Sequence, residues 1–242
     1  MEYTERFYRR WSRPADLVCY EVKVKETDML CCTSRDLRAY IEERVIQYRY
    51  EIESYIREHP IFLHSLSPLR FDPFAPRIVK EMMVASEQIG VGPMATVAGA
   101  IAEFVGRDIG EMAEDFILEN GGDIFMRTRK ERLVNIFCGD SSFGKRFAIR
   151  IRPGERPIGV CTSSGRIGHS ISFGRAHAVS VIADSSLFAD GVATYLGNLV
   201  KSKDDADFAI GEGRRFEAVK GIVVVVDDVM AVAGDLEIVE VQ

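Results

Sequence analysis

Three short stretches put side chains and bare backbone where packing alone does not demand them. In Glu119-Asn120-Gly121-Gly122-Asp123, paired glycines strip the side chains from a turn and leave backbone N–H groups open to whatever lies above. A plain hairpin turn uses the same residues. In Gly159-Val160-Cys161-Thr162-Ser163-Ser164-Gly165, a thiol and three hydroxyls crowd the end of a predicted strand, just before a Gly-Arg-Ile-Gly turn and His169. A thiol among hydroxyls, backbone amides and an imidazole can ionise more readily and act as a nucleophile or a sulfur carrier. The competing reading is a free cysteine that fills a small buried site. In the third stretch, Asp184 to Thr194, Asp190 and Thr194 are four residues apart on a predicted helix and share a face. A carboxylate and a hydroxyl on one face are hard ligands for Mg²⁺, although such an i,i+4 pair far more often marks an exposed helix face.

Other candidates carry weaker signals. Cys138 ends a predicted strand before Gly139, which makes it an alternative nucleophile or a resolving thiol. His177 opens an apolar strand and reads as a satisfied polar end. Cys31 and Cys32 are adjacent, which is poor spacing for a shared zinc ion. Five cysteines, an odd number, with no export signal point to reduced thiols and a cytoplasmic location.

The elements that must position these residues follow from periodicity. Alternation over Val18 to Val24 predicts a first strand, and Thr33 to Asp36 a helix start of capping-box type. Leu37, Ile41, Val45, Tyr48, Ile52, Tyr55 and Ile56 then mark a long amphipathic helix that stops at His59-Pro60. Its polar face suits solvent or a second copy of the chain. Three prolines between His64 and Pro76 predict an extended connection, and a helix follows from about Arg77 to Gln88. After Pro93, small residues at Ala95, Ala98, Gly99 and Ala102 form a face that lets another backbone come close. Short β-rich runs succeed them at Phe116 to Glu119, Ile124 to Thr128, Leu133 to Phe137, Phe147 to Ile151, Ile158 to Thr162 and Ala178 to Ala183. A helix over about Ser185 to Val200 and two or three final strands, one at Gly221 to Val226, complete the chain.

With 47% apolar and 28% charged residues the chain folds, and its longest apolar run is too short to cross a bilayer, so no membrane partner is expected. A net charge of −6 argues against nucleic acid as a partner, despite a small cluster at Arg6, Arg9, Arg10 and Arg13. The fold class expected is α+β: a mostly antiparallel sheet packed with helices, one unit over residues 1–242. Within it, 1–60 supply the N-terminal strand and long helix, and 77–242 supply the core that carries the motifs.

Taken together, Asn-Gly-Gly-Asp-Ile, the Thr-Ser-Ser-Gly turn with His169 beyond it, and Ala-Asp-Gly-Val-Ala-Thr resemble the motif order of ApbE proteins, FAD-dependent transferases that attach FMN to a protein threonine. The likeness runs from about Gly90 to the C-terminus. It is greatest to an ApbE-related branch of anaerobic prokaryotes, to which Val91-Gly92-Pro93-Met94-Ala95 and Val160 to Gly165 also point. The resemblance implies Mg²⁺ at Asp190 and Thr194. It implies flavin contact at Asn120, Gly121, Gly122 and Asp123, with Thr162, Ser163, Ser164 and Gly165 also lining the cofactor site. His169 matches the histidine of the transferases' His-x-x-Asp-Pro motif, but here Ser-Ile-Ser-Phe-Gly follows it, and Cys161 stands where the transferases usually carry a small residue.

That branch resembles proteins of sulfide assimilation into homocysteine, so the first expectation is persulfide chemistry: Cys161 accepts sulfur from a small-molecule or protein donor and passes it on. Thr162, Ser163 and His169 would then tune its pKa or protonate the leaving group. Two alternatives stand beside it. One is an Mg²⁺-dependent FAD-binding protein or FMN transferase. The other is a non-catalytic scaffold that offers the Asp36 to Glu58 helix to a partner or to its own copy, as a homodimer.

Overall fold

A computed structural model describes residues 14–136, 146–164 and 174–241. His169, Gly165, Cys138 and the Arg6 to Arg13 cluster lie outside the described residues.

The chain opens with two paired strands, β1 (Val18–Val24) and β2 (Thr27–Thr33), before the long helix α1 (Arg38–Glu58). A short helix α2 (Ile61–His64), α3 (Arg77–Ile89), a 3₁₀ turn at Pro93–Thr96 and α4 (Val97–Ile109) follow. Next come β3 (Phe116–Asn120), β4 (Asp123–Arg127), β5 (Arg132–Ile136), β6 (Arg146–Ile151), β7 (Ile158–Ser163) and β8 (Ala178–Ala183). The chain ends through α5 (Ser186–Leu199), α6 (Ala206–Gly213), β9 (Val219–Val226), β10 (Val229–Gly234) and β11 (Glu237–Val241).

Eight strands form one sheet in the order β1-β2-β3-β4-β7-β8-β9-β10, and β11-β6-β5 form a second, with every pairing antiparallel. The α+β architecture expected from the sequence is therefore the one observed, and the N-terminal strand joins the same sheet as the motif-bearing core. One face of the large sheet packs against the helices through Leu118, Phe125, Val181 and Val224. The other face, through Met126, Val160, Ile182 and Val223, packs against the small sheet. Because alternate residues of a strand point to opposite faces, this division decides which side each motif residue serves.

Three sequence expectations need correction. Thr33 does not cap α1: it closes β2, where its hydroxyl bonds Tyr20 and the carbonyl of Arg35, and the start of the helix is tied instead by Asp36, which accepts from the Arg38 amide at 2.8 Å. β2 itself goes unpredicted because all seven of its residues are buried, so it shows no alternation. The thiols are not all reduced: Cys19 and Cys32 face each other across β1 and β2 and form a disulfide, while Cys31 and Cys161 are buried thiols. A count of cysteines cannot reveal a pairing set by strand register. Among the described residues no single helix is long and apolar enough to cross a membrane.

Candidate functional site

The third motif is built by close approach of α5 to β7. Gly159 has no side chain because the backbone of Ser186 fills the space a Cβ would take, at 2.3 Å from Ser186 Cα. Further along the strand, Ser163 Oγ lies 3.2 Å from where a Cβ on Gly197 would be. Ser186, Asp190, Thr194 and Gly197 follow one another at intervals of four, four and three, so one face of α5 lies along β7. The helix is capped by Ser185, whose Oγ accepts from the Phe188 amide at 3.1 Å.

Cys161 sits in the middle of that seam. It pairs with Asp123 of β4 in register, is fully buried, and donates its S–H to the Ser186 carbonyl at 3.2 Å. Burial, reinforced by the negative charges of Asp123 and Asp190, pushes its thiol well above the ordinary range. It is a neutral, packed thiol, the opposite of the exposed low-pKa group that sulfur transfer requires. Thr162 cannot tune it either, because Thr162 points to the opposite face of the sheet and bonds Ser180 Oγ at 2.8 Å. Ser163 shares the face of Cys161, and Ser164 follows the strand half-buried.

The oxygens fare differently. Asp190 Oδ2 accepts from the Gly99 amide at 2.9 Å, and the Ala98 amide also bonds its carboxylate, so Asp190 caps the first turn of α4 from outside. Burial and the charge of Asp123 raise its pKa strongly, and the two amides only partly counter that. Asp190 nevertheless keeps some surface open to solvent, as does Thr194 one turn on. The paired glycines form a two-residue hairpin turn in which both take positive φ, at 72° and 106°, and Asn120 and Asp123 pair across its base. A Cβ at Gly122 would touch nothing closer than the Thr162 carbonyl at 3.7 Å, so the turn leaves room above its backbone. Asn120 is turned inward, donating to the Ala98 carbonyl at 3.1 Å. The first turn of α4 is thus gripped from β3 by Asn120 and from α5 by Asp190 and by Ser186, whose hydroxyl donates to the Gly99 carbonyl at 2.8 Å.

Sequence reasoning missed Glu103. It is 3% exposed, and its Oε2 accepts both Ser185 Oγ at 2.6 Å and the Leu187 amide at 3.0 Å, while Oε1 takes Arg107 at 2.5 Å. A lone acid in the apolar run Ala98 to Val105 was the available signal. His177 is a satisfied polar end, as expected, its Nδ1 accepting from the Asp227 amide at 3.1 Å. A hollow of about 210 Å³ between α1, α3 and α4, lined by Tyr48, Phe104, Arg77 and Arg107 among others, includes none of the residues the motifs singled out. Among the described residues, no three His, Cys, Asp or Glu side chains gather closely enough to hold a metal by themselves. Asp123 lies near enough to Asp190 for its charge to be felt there, and Thr194 follows Asp190 one turn along α5.

The helix-backed antiparallel sheet is a fold of ApbE type. The fold matches the apo flavinyl transferase ApbE of Pseudomonas stutzeri with a TM-score of 0.62 at 13% identity, over 90% of this chain and 94% of that one. It matches the ApbE protein of Thermotoga maritima with a TM-score of 0.56 at 10% identity, over 90% and 97%. The family model described as AbpE bacteria covers residues 9–212, and the chain belongs to this ApbE-related family. A UPF0280 protein of Methanocaldococcus jannaschii is 38% identical over 221 residues, 88% of this chain and 89% of the relative. One from Archaeoglobus fulgidus is 35% identical over 223 residues, 90% and 92%.

Proposed function

We propose that this protein binds a flavin nucleotide, FAD, together with Mg²⁺ at the oxygens of Asp123, Asp190 and Thr194, and that it carries or transfers the flavin nucleotide. The observation behind the reading is that Asp123, paired in register with Cys161, lies beside the α5 seam that carries Asp190 one turn beyond Ser186, and that burial and the Asp123 charge make the ionised form of Asp190 costly there. A divalent cation offsets both charges, and the donor set of two carboxylates and a hydroxyl is the all-oxygen kind that Mg²⁺ takes. With no third acidic side chain among the described residues close enough to join them, a bound Mg²⁺ would need water and diphosphate oxygens as its further ligands.

The chain's own residues do the positioning. The Ala98 and Gly99 amides fix the direction of the Asp190 carboxylate. The Gly121-Gly122 turn allows a flat ring to approach backbone. Mg²⁺, when bound, neutralises the diphosphate and polarises its P–O bonds. The likeness in fold to flavin transferases supports the reading. Sulfur transfer loses its support, because the sulfur it needs is sealed and held in the neutral form.

The test is a flavin-fluorescence titration of the full chain with FAD, with Mg²⁺ and with chelator. Binding that needs Mg²⁺ in the natural chain and is lost in Asp190→Asn is the expected result. No Mg²⁺-dependent binding at millimolar FAD overturns the reading.

A further inference from the structure

The two helices that meet at the site cap each other. Asp190 of α5 takes the free amides of Ala98 and Gly99 at the start of α4, and Glu103 of α4 takes the Leu187 amide and the Ser185 hydroxyl at the start of α5. Each helix begins with amides that lack partners of their own, so each supplies a carboxylate to the other's positive end. Glu103 is held in turn by Arg107, which also pairs with Glu81 of α3 at 2.6 Å. The contacts fix how far α5 slides along its axis relative to α4. That slide decides whether Asp190 meets the α4 amides.

We infer that Glu103 is a positioning residue: resting on the reading of Asp190 and Thr194 as the Mg²⁺ pair, it sets the pair in register with the α4 amides without touching cation or nucleotide itself. Loss of Glu103 leaves the Leu187 amide and the Arg107 guanidinium without their shared acceptor, and α5 is then free to shift. Gln at this position keeps an oxygen for the Leu187 amide and gives up the charge and the bond to Arg107, so it preserves register where Ala does not.

The experiment compares the natural chain, Glu103→Ala, Glu103→Gln and a control, Tyr48→Phe, which removes the 2.6 Å bond to Asp108 at the α1 contact of α4. Two quantities are read in each: hydrogen exchange at the Ala98 and Gly99 amides without ligand, and the Mg²⁺ concentration that half-saturates the FAD signal. In Glu103→Ala, both amides exchange faster than the rest of α4 and the Mg²⁺ requirement rises, each by about tenfold, the loss expected for a cap contact. Glu103→Gln stays within about threefold by the same scale. Tyr48→Phe loses stability while both readouts hold. Unchanged amides in folded Glu103→Ala overturn the proposal, as does an equal change in Tyr48→Phe. Should Glu103→Ala fail to fold, Ser185→Ala removes one of the two donors to the same oxygen, and unchanged amides there overturn it equally. If the natural chain shows no Mg²⁺-dependent FAD binding, the functional reading falls on that result alone, and the exchange data still decide what Glu103 does.

Discussion

Replacing Gly159 by Ala tests whether the helix and strand of the site are as tightly apposed as described. A Cβ at Gly159 stands 2.3 Å from Ser186 Cα, 2.4 Å from Ser186 N and 2.7 Å from Ser185 C. Carbon atoms in contact rest at about 3.5–4.0 Å, so α5 must withdraw by roughly 1.2–1.7 Å. All three opposing atoms are backbone, and no side-chain rotation can relieve them. Overpacking of this kind costs about 1–3 kcal/mol, and breaking the Glu103 bond to the Leu187 amide adds roughly 1.5–3 kcal/mol, so a loss of about 2.5–6 kcal/mol is expected. That is a large share of the 5–15 kcal/mol or so that holds a typical domain folded. Urea unfolding followed by far-ultraviolet circular dichroism measures the loss. Gly211→Ala is the control: Gly211 is exposed in α6 with nothing within 4 Å of an added Cβ. It should gain about 0.5–1 kcal/mol from the better helix former. A Gly159→Ala chain that unfolds at the natural urea concentration refutes the close packing of α5 on β7.

Three other outcomes follow from the same structure. Burial and the neighbouring Glu119 raise Asp28 to about 6, and Lys23 Nζ at 3.9 Å is too exposed to offset this. The native state therefore holds this proton more tightly than the unfolded chain, and stability falls as pH rises through that value. Asp28→Asn should accordingly gain stability over the natural chain above pH ~7 and lose the gain below pH ~4, and a pH-independent difference would sink the assignment. Cys161 should resist alkylation in the folded protein and react on unfolding, and Cys161→Ala should retain Mg²⁺-dependent FAD binding; rapid native labelling of Cys161, read by peptide mass, contradicts the buried placement. Reduction of the Cys19 to Cys32 bond, with 13 residues of sequence separation, should lower stability by up to ~3 kcal/mol on the chain-entropy estimate. A Cys19→Ala, Cys32→Ala double variant should be insensitive to reductant, and thermal melts with and without reductant decide this.

Much of the architecture could be read from periodicity, because α1, α3, α5 and most strands present one apolar face to the core. β2 could not, since Thr27 to Thr33 are buried on both faces and lose the alternation that marks a strand. The oxygen pair on α5 was legible as an interval of four. The sulfur assignment failed for a reason already present in the strand period: Cys161 and Ser163 face one way and Thr162 the other, so the cluster of hydroxyls in the sequence is not a cluster in space. Whether a thiol is sealed or open depends on what packs above it, here the Ser186 carbonyl from 25 residues away. The role of Glu103 stayed hidden because Ser185 and Leu187, the partners of its Oε2, lie more than 80 positions later in the chain.

The same long reach governs when the protein becomes competent. Gly99 and Asp190 are 91 positions apart, and the strands that carry the glycine turn and the thiol are synthesised between them. During translation, the first turn of α4 must wait without its acid until α5 leaves the ribosome. On the flavin reading, chains truncated before Ser186 should show no Mg²⁺-dependent FAD binding.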